Sequence, residues 1–175
     1  MSVRQFLQTS NSGRNSAREI LQAIFAGELV SPSRCIWLVS AWLRDVPVLD
    51  NSTGMFHSVA PDLPRDEVRL SRVLLELHGR GTRIIIATRP DDAGNRQVYS
   101  NVLAGVPDDG HRVTLIERPN LHAKGLVGDR FALTGSMNLT FNGIGNLTEL
   151  LSFQVEPREI ETLRVMFAHE YGGAT

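Results

Sequence analysis

Apolar residues at 17, 20, 21, 24 and 25 recur at helical spacing and predict a first helix, capped by Ser16 and closed by Gly27. The run from Arg34 to Trp42 is almost wholly apolar and predicts a buried strand. From Leu43 to Pro64 the pattern breaks. Three prolines, a glycine and the turn cluster Asp50-Asn51-Ser52-Thr53-Gly54 predict a long loop. Helical spacing returns between Asp66 and Leu77 and is stopped by Gly79 and Gly81. Arg83 to Thr88 predicts a β-branched buried strand, and Asp91 to Leu103 a helix. Three strands then crowd together at Arg112 to Ile116, Leu121 to Val127 and Phe131 to Thr134. A last strand, Glu149 to Val155, leads into a helix that starts at Pro157 and runs to about Tyr171.

Strands alternating with helices, followed by clustered strands, predict an α/β fold with a mixed β-sheet flanked by helices on both faces. No repeat or Pro/Gly-rich linker divides the 175 residues, so residues 1–175 are expected to form a single domain. Aromatics make up only 6% of the chain, which leaves Leu, Val, Ile and Ala to fill the core. Trp37 and Trp42, both on the apolar run, are expected to be core residues.

The formal charge of -1 speaks against a protein that coats nucleic acid by bulk charge, but not against a local basic cleft. Cys35, the only cysteine, excludes an intramolecular disulfide and is expected to be buried and inert. The first sixteen residues lack the apolar stretch of a signal peptide, and no run approaches the length of a membrane span. A cytoplasmic protein with no membrane partner is expected. His57, His78, His111 and His169 do not show ligand spacing, so no metal and no cofactor are expected.

The chemistry concentrates in Asn120-Leu121-His122-Ala123-Lys124-Gly125-Leu126-Val127-Gly128-Asp129 and in Gly135-Ser136-Met137-Asn138. On a strand, His122 and Lys124 share a face, roughly 7 Å apart, while Leu121, Ala123 and Val127 face the other way. A turn at Gly128-Asp129 returns the chain, so that Ser136 and Asn138 come back to the level of His122. An imidazole, an ammonium, a hydroxyl and a carboxamide then converge. That set suits a tetrahedral anion. Lys124 is the only lysine, against seventeen arginines, as expected where a compact ammonium fits a crowded site better than a guanidinium fork.

This pattern, His-x-Lys, four residues, Asp, a short strand and Gly-Ser-x-Asn, resembles the signature of the phospholipase D superfamily. His122, Lys124, Asp129, Gly135, Ser136 and Asn138 carry the resemblance, with five residues between Asp129 and Gly135 where six are more usual. Glu149, in Asn146-Leu147-Thr148-Glu149, matches the carboxylate that in this family hydrogen-bonds a catalytic histidine. The family usually pairs two such motifs. Here there is one, and no other histidine has a lysine two residues on. Single-motif members, small bacterial nucleases among them, form homodimers with the site on the twofold axis, so the resemblance implies a homodimer with an isologous interface.

The resemblance further implies a two-step, metal-independent phosphodiester hydrolysis. His122 of one subunit attacks phosphorus, and His122 of the other protonates the leaving oxygen and then activates water. An ordinary imidazole, with a pKa of about 6.5, serves both roles near neutrality. Lys124 and Asn138 hold the nonbridging oxygens with help from Ser136, Glu149 orients His122, and Asp129 and Gly135 are structural. Arg44, leaving the apolar strand, is a candidate ligand for a flanking phosphate.

The stretch Ser40 to Asn51 is also similar to phospholipase D-like proteins of bacterial islands that install 7-deazaguanine bases in DNA and restrict unmodified DNA. DNA is therefore the expected substrate, with other proteins of a DNA-defence system as expected partners. The competing expectations are a noncatalytic dimeric nucleic-acid-binding or assembly subunit, and a hydrolase of lipids or small phosphodiesters.

Overall fold

The computed structural model describes residues 3–9, 16–106 and 112–173. Its centre is β2 (Cys35–Val39), buried at every position. Ile36 and Leu38 belong to one apolar cluster, and Cys35, Trp37 and Val39 to another. β5 (Arg83–Thr88) divides the same way, with Ile84 and Ile86 on one side and Ile85 and Ala87 on the other. A strand apolar on both faces is stable only where both are covered.

The larger cluster is covered by α1 (Ser16–Val30), α2 (Leu70–Gly79) and α3 (Ala93–Leu103), through residues such as Phe25, Leu74 and Val98. The smaller is covered by α5 (Pro157–Tyr171), which lays Leu163, Phe167, Ala168 and Tyr171 against it. The mixed sheet with helices on both faces is thus present. Cys35 is buried.

The main sheet has seven strands in the order β1-β9-β8-β7-β2-β5-β6. The remaining members are β1 (Val3–Gln8), β6 (Val113–Glu117), β7 (Gly125–Val127), β8 (Ala132–Gly135) and β9 (Glu149–Gln154). β2, β5 and β6 are parallel, and β7, β8, β9 and β1 then alternate in direction. One rim of the sheet therefore collects the ends of β2, β5, β6 and β8 together with the beginnings of β7 and β9. The opposite rim holds Val3, paired with Gln154, and Gly172, whose carbonyl accepts from Trp37 Nε1 at 2.8 Å.

Several expectations need correction. Gly27 does not close the first helix, which continues to Val30. A mid-helix glycine weakens a helix by only about 1 kcal/mol, and burying Leu29 outweighs it. The predicted loop holds β3 (Pro47–Asp50), which pairs with β4 (Glu67–Arg69) as a separate ribbon, so the predicted helix at Asp66 begins only at Leu70. The strand from Arg34 stops at Val39. β1 and the short helix α4 (Phe141–Gly145) had no clear signal. His111 lies outside the described residues.

Candidate active site

The chain reaches β7 through an irregular segment, since residues 121–124 are not in the sheet and only Gly125–Val127 pair. Strand alternation therefore does not arrange His122 and Lys124, and Ala123 is exposed rather than packed. Leu121 is buried and pins the segment to the α5 face. The lysine folds back on its neighbour: Nζ lies 2.5 Å from His122 Nδ1 and donates to the His122 carbonyl oxygen at 2.6 Å. A charged ammonium only donates, so in this contact Nδ1 is the accepting nitrogen. Partial burial pushes the Lys124 pKa below its ordinary value, while the charge of Glu149 acts the other way.

Asn138 arrives from β8. Its Oδ1 accepts from the Trp42 backbone N–H at 3.4 Å and lies 3.2 Å from Ser40 Oγ, whose one proton it shares with the Trp42 carbonyl at 2.8 Å. That fixes the amide orientation and leaves Nδ2 without a partner among the described residues. Gly135 makes the approach possible. Its φ is +146°, and a Cβ there would sit 2.1 Å from the Leu150 carbonyl oxygen. The chain can thus bend at once to let Ser136 N–H donate to that same carbonyl at 3.0 Å.

Ser136 and Glu149 meet each other rather than the reacting groups. Ser136 Oγ donates to Glu149 Oε2 and accepts from Leu150 N–H at 3.0 Å. Its one proton is spent there, so in this arrangement it has none for a phosphate oxygen. Glu149, buried at the start of β9, takes its hydrogen bond from Ser136 and not from an imidazole. The β8–β9 register explains this, because it sets Gly135 opposite Leu151 and brings the hydroxyl beside the carboxylate.

Asp129 sits on the opposite rim, in the turn between β7 and β8. Its Oδ2 accepts from Arg34 N–H at 3.0 Å and from Arg34 Nε at 3.2 Å. Arg164 Nη2 stands 3.0 Å from Oδ1 as an ion pair, out of line for a hydrogen bond. The Asp129 N–H donates to Ser33 Oγ, which donates to the buried Glu28. Burial raises the Glu28 pKa against the opposing hydrogen bonds from Ser33. Arg44 is held by a bidentate pair with Asp92, at 2.9 and 3.0 Å, and by the Leu43 carbonyl. Most of its fork is therefore occupied, because Asp92 is also the N-cap of α3 and fixes the guanidinium there.

The family profile described as cardiolipin synthase, PLD-like domain, matches residues 47–171. The chain belongs to this phospholipase D-like family. With the family comes its coarse activity, a phosphodiesterase of phospholipase D type. Among solved structures, the phospholipase D family member Nuc from Salmonella typhimurium aligns over 96% of this chain and 92% of its own, at 14% identity and a TM-score of 0.62. NucT from Helicobacter pylori aligns over 96% and 94%, at 14% identity and a TM-score of 0.57. The phosphatidylserine synthase of Haemophilus influenzae Rd KW20 aligns over 97% of this chain but 38% of its own, at 15% identity and a TM-score of 0.57. No curated protein sequence matches the chain.

Two features of this phospholipase D-like chain escaped sequence reasoning. Ser40, fully buried, touches both Asn138 and Leu139. Its position as the first polar residue after a wholly apolar strand, on the rim where strands end, was the available signal. Trp42 is not a core residue: it is 40% exposed, because the strand ends at Val39 and the chain turns outward. Trp37 is buried. Among the described residues, no group of three or more His, Cys, Asp or Glu is placed to hold a metal ion, and no helix is long and apolar enough to cross a membrane.

Proposed function

We propose that this protein is a metal-independent nuclease that cleaves DNA through a phosphohistidine intermediate, at a site completed by a second copy of the chain. The observation that carries the reading is the single set of groups on one rim: one imidazole, one ammonium and one amide donor. In-line displacement at phosphorus needs a nucleophile on one side and an acid on the other, and the sequence offers one His-x-Lys pair. A twofold axis through the rim supplies both. Exposed Leu150, next to Glu149, suits such an isologous contact.

In the first step, His122 Nε2 of one subunit, with the ring proton moved to Nδ1, forms a bond to phosphorus while the bond to the leaving oxygen breaks. His122 of the other subunit, entering as an imidazolium, gives that oxygen its Nε2 proton and is left neutral. In the second, the same partner imidazole takes a proton from water, whose oxygen displaces the histidine and releases the phosphate. Lys124 and Asn138 Nδ2 of both copies face the nonbridging oxygens. Glu149, through its charge on Lys124 and its bond to Ser136, positions the set. The nearly full-length likeness to Nuc and NucT supports one domain of this fold, and the likeness of Ser40 to Asn51 to restriction-island proteins supports DNA delivered by other proteins of a defence system.

The test is supercoiled plasmid incubated with purified protein in EDTA, beside a solution molar mass. Nicking by a dimer, lost in His122→Ala, supports the reading. DNA that is shifted but intact, identically for wild type and variant, identifies a noncatalytic binder. Cleavage confined to phosphatidylcholine or bis(p-nitrophenyl) phosphate overturns the nuclease.

A further inference from the structure

Trp42 is a large apolar ring kept in water at a fixed place. Its loop is clamped on both sides: Leu43 N–H donates to Asn95 Oδ1 at 2.7 Å, and Asn95 Nδ2 donates to the Ala41 carbonyl at 3.0 Å. Asn95 is fully buried, and Ser40 Oγ reaches the Trp42 carbonyl at 2.8 Å. Arg89, itself paired with Asp91 at 2.9 Å, places Cζ 5.6 Å from the centre of the indole. The exposed remainder of the ring lines an open groove with Asn138, Thr140, Phe141, Asn142 and Leu147. Phe141 is 54% exposed. The decisive link is the Trp42 backbone N–H, which donates to the carboxamide of Asn138, the proposed phosphate ligand. An aromatic platform and a phosphate donor are therefore parts of one rigid unit.

We propose that Trp42, with Phe141 in the same groove, is a stacking subsite for the nucleobase adjoining the scissile phosphate. The inference rests on the nuclease reading above and names its substrate more narrowly. A base within a duplex already has both faces stacked, so this subsite takes a base from a single-stranded or unpaired stretch. Stacking uses a π-face that every base has, so the subsite tolerates any sequence. Arg89, held by Asp91, lays its guanidinium against the indole and steadies the ring.

The full chain carrying His122→Ala, which binds without turnover, is titrated with oligothymidylate and with an abasic deoxyribose-phosphate chain of equal length. Oligothymidylate is expected to quench tryptophan fluorescence, with buried Trp37 as a constant background, and to bind about tenfold more tightly than the abasic chain. Adding Trp42→Ala should abolish the quench and make the two affinities converge, while Trp42→Phe should keep most of the difference. Equal affinities before Trp42 is changed, or a preference that survives Trp42→Ala, would overturn the subsite. A dimer lost in Trp42→Ala assigns the ring to the contact between copies and overturns it too. Plasmid nicking by the wild type together with equal affinity for oligothymidylate and the abasic chain removes this inference alone. If the wild type cleaves no nucleic acid, both readings fall.

Discussion

Lys124 Nζ stands 2.5 Å from His122 Nδ1 and 2.6 Å from the carbonyl oxygen of the same residue. The lone chain thus parks its only lysine on the imidazole proposed as nucleophile. While it stays there Nδ1 is an acceptor, whereas a nucleophilic Nε2 needs the ring proton on Nδ1. Binding of a phosphate should draw Lys124 away. Nitrogen NMR of His122 is expected to show the Nε2–H form in the free protein and a change of tautomer when vanadate is added. An unchanged spectrum with vanadate bound would reject this exchange.

Lys124→Arg keeps the charge but replaces a point donor with a planar fork that cannot fold back within two residues. The plasmid-nicking rate is expected to fall about 100-fold, the order seen for losing one transition-state donor. Circular dichroism should be unaltered, because Lys124 lies outside the sheet.

The alkaline side of the rate profile should report Lys124. Burial lowers its pKa, so its positive charge is lost at lower pH than the ordinary lysine value of about 10.4. Glu149 opposes that shift. Glu149→Gln removes the opposing charge while leaving an acceptor for Ser136, so the alkaline limb is expected to move to still lower pH. A limb that moves upward in Glu149→Gln would contradict this assignment.

Ser40→Ala removes a buried hydroxyl that serves Asn138, Leu139 N–H and the Trp42 carbonyl. Thermal or urea denaturation should show a loss of about 1–3 kcal/mol. The nicking rate should drop about tenfold as Asn138 loses its fixed orientation.

Gly135→Ala demands a positive φ from an L-residue and drives a methyl into the Leu150 carbonyl. A destabilisation of about 3–5 kcal/mol is expected by chemical denaturation. Asp129→Ala should cost about 3 kcal/mol as well, since it leaves the buried Arg164 without its main counter-charge. Its remaining soluble fraction should bind nucleic acid as the wild type does.

The apolar runs made the frame legible. β5 and α5 begin and end where the pattern places them, because a fully apolar strand and a Pro-started helix are strong local signals. The rim was harder to read. His122 and Lys124 meet through an irregular segment, so an argument from strand alternation reached the right neighbours by the wrong geometry. Ser136 and Arg44 looked available in sequence, and each is occupied by a carboxylate remote along the chain, Glu149 or Asp92. Such pairings depend on sheet register and helix capping, which no local window contains. Trp42 was misplaced because nothing in the apolar run marks where its pairing stops.

The alternating directions of β7, β8, β9 and β1 also decide how the molecule can be joined to others. Both the start of β1 and the residues after α5 emerge beside Gln154 and Cys35, on the rim away from His122. A fused domain, affinity handle or surface tether joined at Val3 or Gly173 therefore meets the sheet on the rim opposite His122 and Asn138.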